Sequence, residues 1–176
     1  MNIKRPLHTQ LLLVIGLVVL PFYSYAETAL DEEQPIHITA DSLESQEQKG
    51  FSVYKGNVVI IQGSLKLNGE TITVFHPNSL LQTVKAIGQP ANFERYSQTE
   101  QAWLRGHANQ IEYNAKDKTL LLMGDAQVSQ PGKHVIKGPK LFYDMTQKTL
   151  LAQSTEQEKG RVSVTFSPTP AEKKAP

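Results

Sequence analysis

From residue 35 to residue 166 the chain alternates apolar and polar positions with a period of two. Ile36 and Ile38 flank His37, Leu65 and Leu67 flank Lys66, and Ile72 and Val74 flank Thr73. Val58, Val59, Ile60 and Ile61 form one continuous β-branched run. The same signature recurs at residues 84–87, 91–96, 103–105, 110–114, 119–123, 126–129, 134–136, 140–143, 149–152 and 161–166. Successive side chains of a strand point to opposite faces, so alternation bounded by Gly, Asn, Asp and Pro predicts short strands. No window of helical length carries a convincing 3.6-residue stripe. The chain therefore reads as all-β: an antiparallel sandwich, jelly roll or related stacked-sheet fold.

One strand-turn-strand unit occurs twice. Ala40-Asp41-Ser42-Leu43-Glu44-Ser45 parallels Ala108-Asn109-Gln110-Ile111-Glu112-Tyr113, and at the same interval Gly56-Asn57-Val58 parallels Gly124-Asp125-Ala126. After a one-residue insertion Gly69-x-x-Ile72-x-Val74 returns as Gly138-x-x-Leu141-x-Tyr143. Stacked repeats of this kind offer a surface or groove more readily than a catalytic pocket. Turns are expected at Gln62-Gly63-Ser64, Pro77-Asn78-Ser79, Gly88-Gln89-Pro90, 114–118 and Gln130-Pro131-Gly132. Asn68-Gly69 fits either a type I′ hairpin or a bulge or corner. Alternation assigns Ile36, Ile38, Leu43, Val58, Ile60 and Leu65 to an inward face. It assigns Leu67, Ile72, Val74, Phe93, Ile111 and Tyr113, and then Leu120, Leu122, Ile136, Leu141 and Tyr143, to the same face. Periodicity does not distinguish a sealed core from one open along a side.

The N-terminus sets the compartment. Lys4 and Arg5 precede an apolar stretch over residues 11–20, and Ser24 and Ala26 supply the small residues of a cut between Ala26 and Glu27. These are the parts of a cleavable secretory signal peptide, in a run too short for the roughly 20 residues of a bilayer helix. The expected organisation is a leader at 1–26, a flexible acidic segment at 27–34, one β domain at 35–166 and a disordered Pro/Lys-rich tail at 167–176. A single domain of this length buries enough surface to need no staples, in keeping with a chain that has 0 cysteines. The full chain carries 18 Lys+Arg against 17 Asp+Glu, and losing Lys4 and Arg5 tips it just to the acidic side. Nucleic-acid binding, which wants a basic face, is not indicated.

Catalytic chemistry is missing. His37, His76, His107 and His134 show no metal-ligand spacing and read as exposed strand or loop residues. There is no nucleophile elbow and no phosphate-cradling loop. Asp31-Glu32-Glu33 lacks the alternating ligands of a calcium loop and reads as a solvated tether. Glu44 and Glu112 hold equivalent repeat positions, which fits a shared structural job better than a carboxylate pair. No enzyme activity, metal or cofactor is expected.

Pro35-Ile36-His37-Ile38-x-Ala40-Asp41, Tyr54-Lys55-Gly56-Asn57-Val58-x-Ile60-x-Gln62-Gly63, Gly106-His107-Ala108 and Gly124-Asp125-Ala126 together resemble the OstA-like family of periplasmic lipopolysaccharide-bridge proteins. The similarity extends from residue 34 to residue 166. It implies an open, twisted antiparallel β-jelly roll of about sixteen strands, with an apolar interior for the acyl chains of lipopolysaccharide. It also implies head-to-tail homo-oligomers linking an inner-membrane lipopolysaccharide export complex to the outer-membrane translocon, with no catalysis by the bridge itself. On that footing Ile36, Ile38, Phe93 and Tyr113 are expected to line the trough. Leu65, Ile72 and Leu120 join them on alternation alone. The edges at Ile36 and at Val162, Val164 and Phe166 are expected to dock protomers, and Lys55, Lys66 and Arg95 are rim candidates for cargo phosphates.

Two other readings of the residues compete. One is a membrane-anchored relative with the same fold that keeps its N-terminal helix. The other is a periplasmic polysaccharide-binding or envelope-scaffold β-sandwich.

Overall fold

The computed structural model describes residues 31–98, 100–130, 132–154 and 160–167. The expected leader, its cut between Ala26 and Glu27, and the tail from residue 168 onward lie outside the described residues. Among the described residues ten strands follow in chain order: β1 (His37–Thr39), β2 (Ser42–Gln46), β3 (Phe51–Gln62), β4 (Leu65–Phe75) and β5 (Thr83–Ser97). Then come β6 (Ala102–Asn114), β7 (Thr119–Gln130), β8 (His134–Asp144), β9 (Thr149–Gln153) and β10 (Ser163–Phe166). They form one antiparallel sheet in the order β1-β3-β4-β5-β6-β7-β8-β10, with β2 also on β3 and β9 also on β8.

Each pair of successive long strands from β3 to β8 breaks register in the middle. The breaks fall between Lys55 and Val58, Asn68 and Thr71, Ile87 and Ala91, His107 and Gln110, and Met123 and Ala126. Extra residues at such points bend a strand and sharpen its twist. Aligned across the sheet, the breaks fold it on itself along a crease, so each long strand serves two facing sheets. The count of about sixteen strands is accordingly not reproduced. Alternation stops at each break, whereas the backbone of β3 to β8 continues through it. Asn68-Gly69 lies within β4 at such a break, so it is a corner and not a hairpin turn.

Register rows build the interior. On one face Tyr54, Ile72, Ala86, Ile111, Leu122 and Leu141 are cross-strand neighbours, and on the other Ile38, Ile60, Leu67, Phe93, Gly106 and Val128. Apart from Gly106, both rows belong to or pack against one apolar cluster, and burying it supplies most of the driving force for folding. Leu43 departs from the expected inward set. It lies opposite Tyr54 on strand β2, beyond which no further strand pairs among the described residues, and is exposed.

Candidate functional site

Burial is deepest at the crease. Ala86, Ala91, Ala108, Ile111, Leu122 and Leu141, close to the breaks, are fully buried. Further out along the same strands Tyr113, Tyr143 and Leu104 are only half-buried, although they pack against the cluster. Toward the rims the two faces that meet at the crease leave space between them. The result is a cavity of about 450 Å³, within the range of ordinary ligand sites. Its walls are mainly apolar: Ile60, Leu67 and Phe93 from one face, and Val74, Val84, Tyr113, Leu120 and Tyr143 from the other.

Six of the seven residues expected to line the trough border this cavity: Ile36, Ile38, Leu65, Phe93, Tyr113 and Leu120. Ile72 does not. At 0% exposure it is sealed in the crease, where it is structural. Alternation placed it on the right face at the wrong depth. Leu81, Leu104, Tyr143 and Met145 also border the cavity. A local repeat marks the Tyr143 position: Tyr113-Asn114 and Lys118-Thr119-Leu120 recur as Tyr143-Asp144 and Lys148-Thr149-Leu150. Asn114 Oδ1 accepts from the Asp117 N–H and Asp144 Oδ1 from the Gln147 N–H, and Lys118 and Lys148 share a φ of 53°. Both tyrosines are thus carried by equivalent turns.

Polar groups concentrate at the mouth. Asp31 overturns the expectation of a solvated acidic tether. Its carboxylate accepts hydrogen bonds from the Ser64 N–H (2.7 Å), the Ser64 hydroxyl (2.7 Å) and Arg95 Nε (3.0 Å). His76, expected to be an exposed strand or loop residue, is half-buried and borders the cavity, with Nε2 2.8 Å from the hydroxyl of buried Ser52. Burial pushes the Tyr143 hydroxyl above its ordinary value of 10.0, and the negative charge of Glu100 adds to the effect. Glu100 is itself held below 4.5, chiefly by the hydrogen bond from Gln130 and also by Lys133. Of the rim candidates, Arg95 borders the cavity, whereas Lys66 lies beside Glu94 and Arg105 on the outer surface of the sheet and Lys55 is exposed.

The expected edges are edges of the sheet. Ile36 directly precedes β1 at one end, and Val164 and Phe166 lie in β10 at the other, with Val162 just before it. Val162, Val164 and Phe166 are all exposed, Phe166 by 76%. Among the described residues no group of His, Cys, Asp and Glu could hold a metal ion, and no helix is long and apolar enough to cross a membrane.

This architecture has relatives. A lipopolysaccharide export system protein, LptH of Pseudomonas aeruginosa, is 34% identical over 122 residues, 69% of each chain. The corresponding LptA of Escherichia coli is 29% identical over 181 residues, covering 96% of this chain and 95% of the relative. The crystal structure of P. aeruginosa LptH, described as the LptA homologous periplasmic component of the lipopolysaccharide transport device, superposes with a TM-score of 0.72 at 30% identity. That match covers 78% of this chain and 99% of the other. The family described as LptA/(LptD N-terminal domain) LPS transport protein matches residues 37–149, and the chain belongs to it.

Proposed function

We propose that this chain is a periplasmic lipopolysaccharide carrier that shields acyl chains in its trough and bridges the inner-membrane export complex to the outer-membrane translocon. The observation that carries this reading is the open apolar cavity between the two sheets, in a chain of this family. Each buried methylene contributes about 0.8 kcal/mol, so an acyl chain laid along Phe93, Tyr113 and Leu120 is held without any covalent step. A wall that is half-exposed at the rim keeps part of the cargo near solvent and lets it leave. Transfer of an intact amphiphile needs no acid, base or nucleophile, so the carrier does no catalysis.

Bridging rests on the edges. An unpaired edge strand presents free N–H and C=O groups to another strand. The β1 edge of one protomer and the β10 edge of the next are different surfaces, so their contact is head-to-tail and does not close. Such a stack aligns the trough of one copy with that of its neighbour.

Photo-cross-linking residues at Ile36 and Tyr113 test the cargo. They are expected to capture lipopolysaccharide in cells, and a probe at exposed Lys116 is not. Equal labelling at all three positions, or none at the two trough positions, rejects the carrier reading.

A further inference from the structure

Asp31 is held as a bound anion would be. One backbone N–H, one hydroxyl and one guanidinium N–H converge on its two oxygens. Ser64 presents both of its donors from the tight β3–β4 turn, and a side chain at Gly63 would collide with the Asp31 carboxylate. Arg95 reaches the same point from β5, 64 positions along the chain from Asp31. The pair is largely withdrawn from solvent, with side-chain exposures of 27% for Arg95 and 16% for Asp31. Charge-assisted donors of this kind are the stronger hydrogen bonds in proteins, and they suit phosphate oxygens as well as a carboxylate.

The position matters as much as the geometry. Asp31, Arg95 and Lys148 border the trough, and Asp31 is the one carboxylate among the described residues that do. If it moved aside, that rim would present Arg95, Lys148 and the Ser64 donors to the mouth of an apolar channel. Glu100, the nearby acid that acts on Tyr143, is already engaged by Gln130 and Lys133. A channel for hydrocarbon with an anion site at its rim matches an amphiphile that joins acyl chains to phosphate.

We propose that Ser64 and Arg95 form an anion site at the mouth of the trough, occupied by the carboxylate of Asp31 in this conformation and taken over by a phosphate group on the bound amphiphile. The inference rests on the carrier reading for its ligand. It adds to it a polar recognition point and an internal competitor, so that release of the Asp31 segment accompanies loading.

The test compares hexa-acylated lipid A carrying its phosphates with the same lipid dephosphorylated, and includes inorganic phosphate alone. Binding is measured to the full mature chain and to its D31A and R95Q variants, with thermal melts confirming that each variant is folded. The unsubstituted protein is expected to bind the phosphorylated form about tenfold more tightly. D31A enlarges that difference several-fold and R95Q abolishes it, while affinity for the dephosphorylated form stays unchanged. Equal binding of the two lipids by the unsubstituted protein overturns the proposal, as does a D31A effect of the same size on both. If neither lipid binds any variant, the carrier reading fails. The Arg95 Nε–H resonance of D31A under inorganic phosphate then decides the anion site independently: a saturable shift supports it and no shift overturns it. Inorganic phosphate binding D31A as tightly as the lipid does would assign the site to free phosphate.

Discussion

Asp41 lies directly over Gly56 on the neighbouring strand. Its N–H donates to the Gly56 carbonyl at 3.0 Å, and its Oδ2 accepts from Asn57 Nδ2 at 2.9 Å. Asn109 stands in the same relation to Gly124: a Cβ there would come within 2.7 Å of Asn109 Nδ2. The backbones agree as well, with φ of 77° and 47° at Gly56 and Asn57 and of 76° and 47° at Gly124 and Asp125. The repeated sequence unit is therefore a corner. An Asx side chain covers a left-handed Gly-Asx step on the neighbouring strand, and the two copies help set the crease that creates the trough.

Replacing Gly56 by Ala is expected to destabilise the fold by about 2–4 kcal/mol, combining the left-handed backbone cost with overlap against Asp41. A Cβ at Gly56 would lie 2.8 Å from the Asp41 Cβ. Asp41→Gly should recover the part due to overlap but not the part due to φ. Denaturant melts of the two single variants and the double variant measure this, and strict additivity would refute the direct contact.

Depth in the trough separates stability from binding. Leu122→Ala, at the sealed crease, is expected to cost about 2–5 kcal/mol in chemical denaturation. Ile38→Ser, at the half-exposed margin, should change stability by about 1 kcal/mol or less and weaken acyl-chain binding several-fold. If Ile38→Ser proves as destabilising as Leu122→Ala, the site is part of a closed core.

Val164 pairs with Ile136 in the short edge strand β10. Proline there cannot donate to a ladder and disturbs an edge geometry. Light scattering across a concentration series is expected to show V164P shifted toward monomer, with lipid A binding by the isolated chain retained. Unaltered self-association would place the protomer contact elsewhere.

Two titrations have predictable signs. The raised pKa of Tyr143 makes its contribution to stability complete below pH 10 and lost as pH rises through the folded-state value. The lowered pKa of Glu100 makes its contribution present above about pH 4.5 and lost as pH falls through its own folded value. An alkaline absorbance titration should contain a late tyrosine step that Tyr143→Phe removes and Glu100→Gln moves earlier. A late step that survives in Tyr143→Phe would assign it to another residue.

Much of the architecture was legible in the chain itself. Period-two alternation identified the strands, because side-chain direction along a strand is a local property. The recurring Ala-Asx and Gly-Asx elements stood out as a repeated strand-turn-strand unit, and in the fold they are corners, because a left-handed step selects glycine and asparagine or aspartate. The segments at 35–41, 54–63, 106–108 and 124–126 were together enough to suggest the family. Depth and long-range pairing were not encoded that way. Ile72 and Phe93 obey the same alternation, yet one is sealed at the crease and the other borders the cavity, since depth depends on where the two sheets diverge. Leu43 faces inward by pattern but lies on an edge strand and is exposed. Asp31, Ser64 and Arg95 share no local motif; only the antiparallel stacking of β4 and β5, with the N-terminal segment laid across their ends, brings the three together. Local alternation is enough to assign the faces of the strands, because side-chain direction is set residue by residue. Where the long strands bend and how the two faces meet depend on pairing between distant strands, which no local pattern carries.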